Sequence, residues 1–225
     1  ADAKNINRVL DVIDNAVAKT DTTIVIVSAL GGITDVLIQS ASLAENGDES
    51  YKENLKNAEQ RHLNLVKELI PLNQQSSVLS MVKKRCNEIE DICNGVFLLR
   101  ELSLRTKDAI ISYGELISSQ IISAKLRSKS IENIWVDARQ LIKTDSQFGN
   151  AIVDFEVTNQ NILRQFSYQE IKLFIVPGFV ASDKSGTTTT LGRGGSDYTA
   201  AIFAAASNAT VLEIWTDVSG MMTAD

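Results

Sequence analysis

The chain has 225 residues, of which 44% are hydrophobic and 22% charged, enough to bury the core of one substantial domain or two small ones. A net charge of −6 and a pI near 4.9 set it against phosphate backbones and anionic lipid surfaces, while one local basic site can still hold a small anion. A single histidine, His62, excludes zinc sites built on three histidines and directs attention to carboxylates, Arg, Lys, hydroxyls, backbone amides or a bound ion.

The elements alternate between helical and strand-like patterns, which predicts an α/β layered fold. Ile6, Val9, Leu10, Ile13 and Val17 form the apolar stripe of a helix over 4–18. The β-branched run 22–28 (TTIVIVS) reads as a buried strand. Ala29 to Gly32 form a turn, and Thr34 or Asp35 can cap the helix that follows. Residues 51–130 read as almost wholly helical. They divide into 53–70, stopped near Pro71, then 77–101 with Val78, Val82, Ile89, Ile92 and Val96 inward, then 105–127. The block from about 45 is a helical excursion from the sheet. Strands are predicted at 133–137, 172–177 and 211–215, a hairpin around the turn at 184–186 and the threonine run 187–190, and helices at 159–166 and after the glycines of 192–195. Ala200, Ala201, Ala204 and Ala205 are expected to let that last helix approach the sheet closely. Trp135 and Trp215 are placed in the core and His62, on a charged helix, at the surface.

Cys86 and Cys93 are seven residues apart on one helix, about 10 Å along its axis, too far for a disulfide. With the polar start ADAKNINR and no apolar run near the roughly 18–20 residues of a membrane span, a reducing cytoplasm is the expected setting.

Six of the twelve glycines fall in two clusters, Gly31–Gly32 and Gly186, Gly192, Gly194 and Gly195. Both lie between a strand-like and a helix-like run, where backbone N–H groups and the positive end of a helix can meet an anion. The same residues read equally as turn and cap chemistry. LGRGGSD (191–197) has Gly192-x-Gly194, but Asp197 stands where a dinucleotide fingerprint needs its third Gly or Ala. Arg193 is a rigid guanidinium fork suited to a carboxylate or phosphate. Gly114 inside a helical pattern costs about 1 kcal/mol against Ala, which close packing or a ligand beside Glu115 would explain. Ser28, Thr34, Thr216 and Asp217 follow the carboxyl ends of predicted strands, where open α/β sheets bind ligands.

Taken together and in order, IVIVSALGGITDVL (24–37), SYGE (112–115), VDARQLIKTDSQFGNA (136–151), FIVPGFVASDKSGTTTTLGRGGSDYTAA (174–201) and EIWTDVSGMMTAD (213–225) resemble the aspartokinases of the amino-acid kinase superfamily. The resemblance spans nearly the whole chain. It implies an αβα sandwich in three layers around a mainly parallel sheet. It also implies transfer of the ATP γ-phosphoryl group to the β-carboxylate of L-aspartate, with Mg²⁺, in an enzyme that forms homodimers or larger homo-oligomers. By motif position, Thr34, Glu115 and Arg193 match substrate-binding residues, with Ser196 and Asp197 between substrate and nucleotide. Ser28 and Asp197 are the candidate catalytic pair. Ala29, Gly31, Gly194, Gly195, Thr216, Asp217 and Met222 fall on the nucleotide side, Met222 standing where the family usually has an aromatic residue. The family opens with a further strand and a lysine-glycine-glycine segment, and its motif continues past Asp225 with Pro-Arg and a second phosphate-contacting lysine, so residues 1–225 are expected to be part of a catalytic domain with little kinase activity by itself. Competing readings are another amino-acid kinase, a nicotinamide-dependent oxidoreductase prompted by Gly192-x-Gly194, and a non-catalytic module. GVFLLRELSLRTKD (95–108) leans towards a parent fused to homoserine dehydrogenase.

Overall fold

The side chains of one strand divide the molecule into two cores. In the computed structural model, which describes residues 3–167 and 170–215, β1 (Thr23–Val27), β2 (Ile134–Trp135) and β4 (Leu173–Pro177) form a parallel sheet in the order β1-β4-β2. Successive strand residues point to opposite faces. Leu173 and Ile175 accordingly join the core under helices α1 (Ala3–Val17), α2 (Ile33–Glu45), α3 (Tyr51–Leu69), α4 (Gln75–Leu99) and α5 (Leu104–Ser128). Phe174 and Val176 join a second core with α6 (Ala138–Leu141), α7 (Phe155–Phe166) and α8 (Gly195–Ala206). The result is helices, sheet, helices. Strand β4, flanked on both sides, is buried along its whole length. Strand β1 is half-buried throughout, less than its apolar sequence suggests, because among the described residues it has a ladder partner on one side only.

The expected single sheet is two sheets. The second, of order β3-β5-β6, pairs β3 (Lys143–Thr144) parallel with β5 (Val180–Asp183) and closes the predicted hairpin by pairing β5 antiparallel with β6 (Thr188–Thr190). Gly186, at φ 80°, takes the left-handed turn position that a side chain would resist.

Local chemistry sets most boundaries. Ser103 Oγ accepts from the Thr106 N–H at 3.1 Å and caps α5, and Asp154 accepts from the Val157 N–H at 3.2 Å and starts α7 earlier than the pattern at 159 indicated. Ile70, before Pro71, is already extended and ends α3. Neither Thr34 nor Asp35 caps α2; that position belongs to Gly32 at φ 77°, without a side-chain cap bond.

Other expectations are corrected by packing. His62 is 1% exposed, because α3 packs against both α2 and α4 and position 62 continues its stripe of Tyr51, Leu55 and Ala58. Val9 is 42% exposed, while Ile6, Leu10 and Ile13 carry the α1 interface. Helix α8 buries Gly195, Thr199, Ile202, Phe203 and Ala206, so the predicted alanine face is turned mostly outward. Residues 211–215 form no strand, and Trp215 is exposed, because no described strand pairs with them. Trp135 is half-buried, its indole donating to Ser119 Oγ at 2.9 Å. Cys86 and Cys93 are free thiols in helix packing, both pushed up to about 12 by burial. Among the described residues no helix is long and apolar enough to cross a membrane.

Candidate functional site

Both glycine-bearing loops and the middle of α5 converge at the carboxyl ends of β1 and β4. The β1 chain leaves the sheet at Ser28, whose carbonyl accepts from Ser118 Oγ of α5 at 2.7 Å. One turn earlier on the same helix, Gly114 faces Ala29. A Cβ built on Gly114 would lie 2.9 Å from Ala29 Cβ, 3.6 Å from Ile33 Cγ2 and 3.8 Å from Thr34 Oγ1. The glycine that costs helix propensity therefore lets α5 touch the loop and the first turn of α2. Arg61 of α3 holds the loop from outside, donating to the Gly31 carbonyl at 2.8 Å.

This close packing surrounds Glu115. Its side chain is 5% exposed and accepts from the Ala29 backbone N–H. Burial pushes its pKa from the ordinary 4.5 up to about 7, against the lowering effect of the Ala29 N–H and its own N–H. Its Oε2 atom has no hydrogen-bond partner among the described residues. A buried carboxylate with one uncommitted oxygen is suited to receiving a cationic donor, whose arrival would restore the charged form.

The opposite wall comes from α8. Gly178, just past β4, donates its N–H to the Val27 carbonyl at 2.9 Å, and a Cβ on it would fall 2.6 Å from Ser196 Oγ and 2.9 Å from Ser196 Cα. Ser196 is thus seated on the junction of the two strand ends. Gly194 caps α8 at φ 71°. The side chains of Arg193 and Asp197 are exposed and make no ion pair with a described residue. The structure therefore groups Ser28, Ala29, Gly31, Thr34 and Glu115 on the α5 side of the strand ends. On the α8 side it groups Arg193, Gly194, Gly195, Ser196 and Asp197. Thr216, Asp217 and Met222 lie outside the described residues.

Two further residues shape the site and were not singled out in the sequence. Phe179 sits at φ 67°, a conformation that costs a bulky residue of order 1–3 kcal/mol. It is held there by its N–H donating to Thr199 Oγ1 at 2.9 Å and its carbonyl accepting from Leu191 N–H at 3.0 Å. Gly195 leaves room for its ring, since a Cβ there would be 2.7 Å from Phe179 Cδ2. The only sequence signal was a bulky residue directly after Pro177-Gly178. Asp108 is a fully buried carboxylate on α5, two turns before Glu115. Among the described residues no group of three or more His, Cys, Asp or Glu side chains is placed to hold a metal ion.

The model of the amino acid kinase family matches residues 1–225. Lysine-sensitive aspartokinase 3 of Escherichia coli (strain K12) is 32% identical over 100% of this chain and 48% of the relative. Bifunctional aspartokinase/homoserine dehydrogenase 1, chloroplastic, of Arabidopsis thaliana is 30% identical over 98% of this chain and 24% of the relative. The crystal structure of E. coli aspartokinase III in complex with aspartate and ADP superposes with a TM-score of 0.87 at 30% identity, covering 98% of this chain and 47% of that one. The chain thus spans between a quarter and half the length of the relatives it matches.

Proposed function

This chain belongs to the amino acid kinase family, and from that premise we propose that it forms the aspartate-binding part of an aspartate kinase, which transfers the ATP γ-phosphoryl group to the β-carboxylate of L-aspartate. The observation that carries the reading is Glu115, a buried carboxylate at the carboxyl end of a parallel sheet with one oxygen unpartnered among the described residues. Aspartate brings one cation and two anions. Glu115 takes the ammonium group and Arg193 takes a carboxylate by its fork, with Thr34 and Ser196 supplying hydroxyls beside them. Removing the ammonium group from the substrate leaves the desolvated Glu115 unpaired, which is the physical basis of selectivity here.

The chemistry asks little covalent work of the protein. A β-carboxylate oxygen attacks the γ-phosphorus, the bond to the β–γ bridging oxygen breaks, and ADP leaves with that electron pair. The nucleophile is already ionised, so no general base is needed. The loop amides around Ala29 and Gly31 and the first turn of α8 at Gly194–Gly195 suit the phosphates. Mg²⁺, which usually takes one or two carboxylates together with substrate phosphates, would neutralise phosphate charge, and exposed Asp197 is the carboxylate at hand. The likeness to a structure in complex with aspartate and ADP supports this division between amino acid and nucleotide.

Calorimetric titration with L-aspartate tests the reading. Saturable binding is expected, with at least tenfold weaker binding of N-acetyl-L-aspartate, which lacks the ammonium charge. Equal affinity for the two would overturn the role of Glu115.

A further inference from the structure

Asp108 has no part in the contacts described for the substrate, yet its surroundings are costly to maintain. It is 0% exposed and forms no ion pair with a described residue. Burying an unpaired carboxylate is strongly unfavourable unless hydrogen bonds replace its water. Three do so. Oδ2 accepts from the Gly149 N–H at 2.9 Å and the Thr190 N–H at 3.0 Å, and Oδ1 accepts from Thr190 Oγ1 at 2.9 Å. These partners lie 41 and 82 residues further along the chain. One side chain on α5 therefore ties down two distant loops.

Both loops lead to Arg193. Thr190 ends β6, and only Leu191 and Gly192 separate it from the arginine. The two loops are also bonded to each other, the Ala151 N–H donating to the Thr190 carbonyl at 3.0 Å. They interlock at Gly192, where a Cβ would strike Asn150 Oδ1 at 2.5 Å. Asp108 and Glu115 are seven residues apart on one helix, two turns along the same face. The helix that carries the buried glutamate thus also anchors the base of the arginine loop.

We propose that Asp108 is a positioning residue that fixes the distance between Arg193 and Glu115 by clamping Thr190 and Gly149 onto α5. The proposal rests on the reading of Arg193 as the substrate-carboxylate partner, and it assigns the separation of the two charges, and hence selection of substrate length, to a buried group that touches no substrate. A purely apolar residue could fill the same space without the desolvation cost, but it could not hold two loop amides in register.

The test uses the whole chain with Asp108→Ala, Asp108→Asn and Arg193→Ala, singly and combined. Asp108→Ala is expected to weaken L-aspartate binding by tenfold or more, and to add less than twofold once Arg193 is already alanine. Asparagine can accept both amides with its Oδ1 while its amide donates to Thr190 Oγ1, so Asp108→Asn should stay within about threefold of the native chain. Full additivity of Asp108→Ala and Arg193→Ala would overturn the proposal. Amide hydrogen exchange gives a readout that needs no ligand: exchange at 190–195 and at Gly149 should accelerate tenfold or more in Asp108→Ala, with the sheet strands unchanged. Unchanged exchange there would overturn it as well. If exchange responds but the native chain binds no aspartate, the substrate reading is what fails. Where Asp108→Ala does not fold, Thr190→Val removes the hydroxyl bond alone and should speed exchange at the same amides by a few-fold. No change there would again overturn the clamp.

Discussion

Replacing Glu115 with glutamine isolates the cost of keeping a carboxylate in the candidate site. Burial raises the Glu115 pKa from 4.5 to about 7, which at about 1.4 kcal/mol per pK unit is a penalty of about 3 kcal/mol on the ionised form in the fold. The sign follows from proton counting. Between pH 4.5 and 7 the unfolded chain has lost the proton and the folded chain retains it, so the contribution of Glu115 to stability is fully present below 4.5 and is lost as pH rises through 7. Glutamine does not titrate. Urea denaturation of both proteins should show nearly equal stability at pH 4.5, with the Glu115→Gln chain gaining about 2–3 kcal/mol relative to the native chain by pH 8. Comparing the two proteins at each pH removes the contributions of other titrating groups. A gap that stays constant from pH 4.5 to 8 would refute the argument, because it would mean that Glu115 ionises in the fold as freely as in water. A corollary links stability to binding. An ammonium group beside Glu115 returns it to the charged form, so L-aspartate should release roughly half a proton at pH 7, read as a buffer-dependent calorimetric enthalpy.

Gly178→Ala should cost about 1–3 kcal/mol, because the added methyl meets Ser196 Cα and Oγ and must push α8 off the strand ends; thermal unfolding checks the stability, and an unchanged Tm would show that the junction yields. His62 donates from Nδ1 to the Ala58 carbonyl at 2.8 Å and has no partner for Nε2 among the described residues, and burial lowers its pKa. The neutral ring is therefore favoured in the fold, and stability should fall as pH drops below the ordinary 6.5. His62→Leu should remove that fall, which denaturation at pH 5 and 7 measures.

Periodicity carried much of the fold into view. The apolar stripes of α3, α4 and α5 are long enough for packing to follow pattern, and the Thr187–Thr190 run after Gly186 marked its own hairpin. His62 could have been read correctly, since it lies four residues after Ala58 on the same stripe; the charged neighbours in EQRHLNLVKE hid that spacing. The stretch 211–215 could not. Its composition is that of a strand, but a strand exists only with a partner, and pairing is not encoded locally. The candidate site was legible where backbone chemistry demands particular residues, as at Gly31–Gly32 and Gly194–Gly195. It was illegible at Phe179 and Asp108, whose roles arise from contacts with Thr199, Gly149 and Thr190 far along the chain.

By itself, then, the sequence determined most of the order of elements and the two glycine junctions, because helical period, β-branching and turn chemistry act within a few residues. Tertiary structure decided which of those residues share a site. It turned Gly114 from a weak point in a helix into the contact that admits Ala29, and an unremarked aspartate into an anchor for two loops. It also pushed Glu115 up to about 7. Burial and close approach are properties of surfaces brought together from distant parts of the chain, and no local pattern carries them.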